Sequence, residues 1–162
     1  MQVQSSAYFP SLAYVRALLQ SPHLVLDFKE HFVKQSIRTR AEILSANGVI
    51  QLNVPIIHTA HKQTLEGLQI DYSKNWQAEH WRAIESAYAN APHFEHYAHD
   101  LRFIFKKQHI FLHELNSAIL NWIDNALALH KLAVAGDVSS QFALGRILMV
   151  CSNIALDPIT AD

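Results

Sequence analysis

IRTRAEILSANGVIQLNVPII, residues 37–57, decides the fold. In its second half Ile50, Leu52, Val54 and Ile56 alternate with Gln51 and Asn53, the period of two that sends successive side chains to opposite faces of a strand. Ile37 to Leu44 supplies a partner strand, and Ser45-Ala46-Asn47-Gly48 lies between them. Asn-Gly tolerates the positive φ angles that tight turns demand, so the spacing predicts a β-hairpin.

Upstream, Val3 to Phe9 reads as a short strand. Pro10 and Ser11 then open a segment in which Leu12, Val15, Leu18 and Leu19 recur at helical spacing. Ser21-Pro22 ends that helix, and His23 to Phe28 is a compact apolar run of the kind found in buried strands. The opening is therefore β-α-β. Downstream, His58 to Gly67 is polar and unpatterned, a loop, and Leu68 to Tyr72 reads as a further short strand.

NWQAEHWRAIESAYANAP, residues 75–92, is a helix with Asn75 at its N-cap and Pro92 beyond its end. From Pro92 to Gly136 nothing breaks a helix, and Leu101, Ile104, Phe105, Leu112, Leu115, Ile119, Trp122, Ala126 and Leu129 keep the helical period. One long helix or a consecutive pair fits. Its apolar face covers the sheet or, alternatively, a second subunit in a homo-oligomer. A weaker helical pattern runs from Val138 to Val150. The expected fold class is α/β or α+β, with a small mixed sheet covered by several helices in one domain spanning residues 1–162.

Composition agrees. Half of the 162 residues are hydrophobic and 17% are charged, with only 4 Gly and 5 Pro, which describes a globular chain able to bury a core. A formal charge of −1 gives no basic surface for nucleic acid. Cys151 is the single cysteine, so no intrachain disulfide forms and a reducing compartment is expected. The first residues lack a secretory pattern, and the apolar run Phe142 to Leu156 is interrupted by Gly145, Arg146, Ser152 and Asn153. A cytoplasmic protein without a membrane span is the expectation.

Two constellations carry chemistry. At about 100° per residue, His80, Ile84, Ala87 and Tyr88 share the face of Trp76, so His80 lies in the apolar stripe. Burial keeps such a ring neutral, either as a hydrogen-bonded core member or, if it faces a cavity, as a general base. In KQSIRTR, residues 34–40, an extended chain puts Lys34, Ser36, Arg38 and Arg40 on one side. That row suits a phosphate-bearing ligand, or ion pairs with Glu30 or Glu42. Asp27 and His31 lie at the end of the second strand and in the turn after it, where α/β proteins place reactive groups.

His93, His96 and His99 recur every third residue, but no cysteine or H-E-x-x-H pattern joins them, and no metal is assigned. There is no P-loop, G-x-G-x-x-G or G-x-S-x-G, and nothing identifies a cofactor.

Tyr8-Phe9-Pro10, KQSIRTRAEI (34–43) with NGVIQLNVPI (47–56), and NWQAEHWRAIESAYANAPHFEHY (75–97) together resemble the WbqC-like protein family, over about residues 5–125. The chain departs from many of those relatives at Ser6-Ala7 and at Thr39. The resemblance implies a bacterial protein associated with surface-polysaccharide (O-antigen) assembly, for which a glycine transferase role has been suggested. Two readings follow. In a transferase, His80 is the base and Asp27 or His31 orients it, Lys34, Arg38 and Arg40 clamp a sugar nucleotide or activated acyl donor, and Trp76 and Trp81 wall the substrate. In a non-catalytic module, the same cations hold an anionic ligand and the long helix mediates assembly.

Overall fold

The computed structural model describes residues 2–20, 24–57 and 63–127. The helical pattern expected over 138–150 and residues 58–62 of the loop expected from His58 lie outside them.

The β-α-β opening is present. Strand β1 (Gln2–Ser5) leads through helix α1 (Leu12–Gln20) to β2 (Leu24–Asp27), which pairs with β1 in parallel. Ser11 starts α1 by accepting the Tyr14 N–H on its hydroxyl (3.4 Å) and the Val15 N–H on its carbonyl (3.0 Å). The helix buries Tyr14, Val15 and Leu18, one stripe at helical spacing.

The hairpin is present too. Strands β3 (Arg40–Ser45) and β4 (Gly48–Asn53) pair antiparallel from Arg40↔Asn53 to Ser45↔Gly48. Only Gly48 takes up the positive φ of the turn, at 113°. Ser45 tightens it by donating to the Gly48 carbonyl at 2.8 Å. Among the described residues these strands form two separate two-stranded sheets rather than one mixed sheet.

One boundary moves, and it matters for function. The expected strand over 37–44 begins only at Arg40, because residues 34–39 form turns. Gln35 lies in the left-handed region at φ 57°, and the Ser36 carbonyl accepts both the Thr39 and the Arg40 N–H at 3.1 Å. The period-two row of cations is thereby broken.

Helix α2 (Trp76–Tyr88) buries Trp76, His80, Trp81 and Ile84. The following helical region is a pair, α3 (Phe94–Lys106) and α4 (Leu112–Ala126). No Pro or Gly separates them, so the break is tertiary in origin. The Leu68 carbonyl accepts the Leu112 N–H (2.8 Å), and the Ile70 N–H donates to the Ile110 carbonyl (3.1 Å). Residues 68–71 bond on their other side to Pro55 and Ile57. The expected strand over 68–72 thus exists only as isolated bridges, Ile56↔Ile70 and Gln69↔Phe111.

Tyr72 secures the junction, since its hydroxyl donates to the His109 carbonyl (2.9 Å) and accepts the His109 N–H (3.0 Å). Glu114 caps α4 by accepting the Ile110 and Phe111 N–H groups. The core lies where α2, α3 and α4 meet the hairpin's inner face, through Ala41, Ile43, Leu52, Trp76, Phe105, Leu115 and Ile119. The apolar faces of both long helices are spent largely on this chain's own core.

Tyr72→Phe removes both partners of a backbone pair that no helix or strand satisfies. It should lower stability by about 1–3 kcal/mol in urea unfolding with the slope m unchanged. A loss below about 0.5 kcal/mol would mean that something else holds the α3–α4 break.

Candidate functional site

The core fixes His80. Its ring is 6% exposed, edge-on to Trp76 at 5.2 Å and to Phe105 at 6.4 Å. The Tyr8 hydroxyl lies 2.7 Å from Nδ1, and the other nitrogen meets the Asn53 backbone. A neutral imidazole carries one N–H. Nε2 therefore donates to the Asn53 carbonyl, and Nδ1 accepts the Tyr8 proton. Burial drives the His80 pKa down from 6.5 to about 4, and the Asn53 bond opposes this only in part. Burial also pushes the Tyr8 phenol well above its ordinary value, so it remains a donor. Both ring nitrogens are thus engaged.

Arg38 turns inward as well. Its Nε donates to Glu30 Oε1 (2.8 Å), and its Nη2 donates to Glu30 Oε2 and to the Ser5 hydroxyl (2.9 Å). Ser5 completes the triangle by donating to Glu30 Oε2 at 2.9 Å. The guanidinium is 12% exposed and its charge is matched within the fold. Asn116, fully buried on α4, donates to the Arg38 carbonyl (3.0 Å) and to the Ser6 hydroxyl (3.3 Å).

Lys34 and Arg40 have a different fate. Both line a surface cleft of about 320 Å³, together with Gln35, Thr39 and Asn53 and the apolar residues Phe32 and Pro55. No carboxylate lines that cleft, and neither cation forms an ion pair among the described residues. It is a small cationic hollow on a floor fixed from beneath, because the Thr39 carbonyl accepts the Val54 N–H (2.8 Å) and the Asn53 carbonyl is held by His80.

The remaining candidates lie elsewhere. Asp27 accepts the Lys29 N–H at 2.8 Å, and exposed His31 bridges to Thr64. Trp76 belongs to the core cluster between Tyr72 and His80. Trp81 stacks on Phe94 at 6.4 Å, with the Arg102 guanidinium 5.7 Å from its ring. The structure thus brings Lys34 to Arg40, ties Arg38 to Glu30, and sets His80 beneath the cleft floor.

Sequence reasoning passed over Gln35, Asn53 and Tyr8. Asn53 carried a signal, as a polar residue on the outward register of a strand. Gln35 carried none, because its left-handed φ comes from the turn. Among the described residues no three of His, Cys, Asp or Glu form a cluster able to hold a metal ion. No helix among them is long and apolar enough to cross a membrane.

Fold and site define a mixed α/β protein with a two-cation surface cleft built on a hairpin. Its family follows from comparison with known proteins: the WbqC-like protein family matches residues 4–158, and the chain belongs to it. A curated relative, "Uncharacterized protein Rv1507c" of Mycobacterium tuberculosis, is 28% identical over 129 residues, which cover 78% of this chain and 55% of that protein. The chain thus spans about half the length of the curated relative it matches. No solved structure matches it significantly.

Two outcomes test this geometry. The folded protein keeps His80 neutral down to pH about 4, whereas an unfolded histidine protonates near 6.5. Between those values the unfolded state binds more protons, so stability falls as pH falls through that window and the loss levels off below about 4. Urea unfolding across the window should show a loss of roughly 3 kcal/mol that His80→Gln lacks. Equal slopes in the two proteins would show a ring that protonates freely.

Arg38→Ala takes the guanidinium from the Glu30 carboxylate, leaving it the Ser5 hydroxyl, and should cost about 3 kcal/mol. Lys34→Ala and Arg40→Ala should each stay within about 0.5 kcal/mol. Equal costs for all three would contradict the division between one structural cation and two that line the cleft.

Proposed function

We propose that this protein binds a phosphate-bearing small molecule in the cleft where Lys34 and Arg40 meet. The observation that carries the reading is two cations on one hollow with no carboxylate on its lining. A guanidinium and an ammonium with no ion pair among the described residues are suited to phosphate oxygens, the first as a planar fork and the second as a mobile point charge. The Asn53 and Gln35 amides and the Thr39 hydroxyl add neutral donors at the same place.

In this reading the protein works in the cytoplasm in bacterial surface-polysaccharide assembly, with a sugar nucleotide or an activated acyl donor as ligand; its membership of the WbqC-like family is what supports the reading. Glycyl transfer to a sugar is the reaction that setting implies. Within it Lys34 and Arg40 clamp the phosphate, and His80 is a positioning residue that holds Asn53 at the cleft floor. A ring with both nitrogens bonded and a pKa of about 4 takes up few protons near neutrality.

Thermal-shift titration with UDP-glucose, ATP and pyrophosphate, against glucose and glycine, tests the reading. The phosphate compounds should raise the melting temperature of the wild type, less so at high salt. The Lys34→Ala, Arg40→Ala double variant should lose at least tenfold in affinity. Stabilisation that survives in the double variant, or none in the wild type, would refute the cleft as the phosphate site.

A further inference from the structure

A second cleft, of about 370 Å³, adjoins the first, because Gln35 and Arg40 line both. The hairpin lines it with the outward residues Arg40, Glu42, Leu44, Val49 and Gln51, and with Ala41 and Ile43 of β3. Arg40, Glu42 and Leu44 alternate along β3 and so share one face, opposed in register by Asn53, Gln51 and Val49. Each pair is a chemically distinct rung. The outer rung is cationic with an amide, the middle is carboxylate with an amide, and the rung beside the turn is apolar. At about 3.4 Å per residue the outer and inner rungs lie roughly 14 Å apart. The opposite wall comes from Pro10, Ser11 and Ile37.

The order of these rungs selects a ligand. Glu42 is exposed and forms no ion pair with Arg40, so its carboxylate repels an anion in the middle of the groove and leaves the Arg40 end as the place for one. A carboxylate facing an amide suits a ring rich in hydroxyls, since Glu42 accepts from them and Gln51 both donates and accepts. Leu44 and Val49, 42% and 66% exposed, offer surface to the C–H face of such a ring.

We propose that the second cleft is a glycosyl subsite. A sugar ring lies along the hairpin with its hydroxyls on Glu42 and Gln51, and the phosphate joined to it reaches Arg40 and Lys34. This rests on the phosphate-binding reading above and adds to it an orientation and a chemical class for the rest of the ligand. No bond is made or broken in this step.

Titration calorimetry with methyl phosphate and glucose 1-phosphate separates the two ideas. The wild type should bind glucose 1-phosphate at least tenfold more tightly than methyl phosphate. Glu42→Ala, at an exposed position that leaves the core intact, should abolish that advantage without weakening methyl phosphate. If both compounds bind equally, and both are lost in the Lys34→Ala, Arg40→Ala variant, the subsite is overturned while the phosphate site stands. If the sugar advantage persists in Glu42→Ala, the ring lies elsewhere and the subsite is again overturned. Binding of neither compound would remove both proposals.

Discussion

The hydrogen bond between the Tyr8 hydroxyl and His80 Nδ1, 2.7 Å long and closed off from water, states the constraint that organises this protein. Ser6, Ala7 and Tyr8 are each 0% exposed, so the segment after β1 runs through the interior and every polar group on it needs an internal partner. Each partner comes from a different element. The Ser5 carbonyl takes the Tyr14 hydroxyl of α1 at 2.6 Å, Ser6 takes Asn116 of α4, and Tyr8 reaches α2 through its side chain. Its N–H reaches the Ile37 carbonyl at 2.9 Å. A satisfied bond adds only about 1 kcal/mol net, whereas an orphaned group costs about 1–3 kcal/mol. Such a network therefore stabilises modestly and strongly disfavours alternative packings.

The same logic explains which parts of the structure were legible in the sequence. Local patterns carried the β-α-β opening, the hairpin and its Gly48 turn, and the stripe that buries Trp76, His80 and Ile84. These rest on periods of 2.0 and 3.6 residues, which are properties of the chain alone. The break between α3 and α4 was not legible, because it is produced by backbone bonds to Leu68 and Ile70 and by the Tyr72 hydroxyl, all distant in sequence. The turn at 34–39 was hidden for a related reason. Its residues alternate as a strand does, yet Arg38 finds Glu30 and the chain bends to bring them together.

That bend gives the candidate site its character. An extended KQSIRTR segment would present three like charges on one surface, where mutual repulsion opposes folding. The turn divides them. Arg38, paired with Glu30 and Ser5, becomes part of the frame, and Lys34 and Arg40 keep their charge for the surface. One short stretch therefore supplies both a structural ion pair and a cationic cleft, two roles that composition alone does not separate.

The frame and the cleft are coupled through Asn53. Its carbonyl is held from below by His80, its side of β4 faces Arg40 across the hairpin, and the residue lines the cleft. His80 is itself held by Tyr8, which sits on the buried segment that Asn116 secures at Ser6, next to the Ser5 that Arg38 holds. A groove floor tied into the core in this way loses little conformational freedom when a ligand arrives, so more of the interaction energy remains as affinity. Mobile surface lysines and arginines, by contrast, spend much of that energy on their own ordering. The buried histidine thus has its effect at the surface without reaching it: it fixes the strand on which the exposed guanidinium and amide stand.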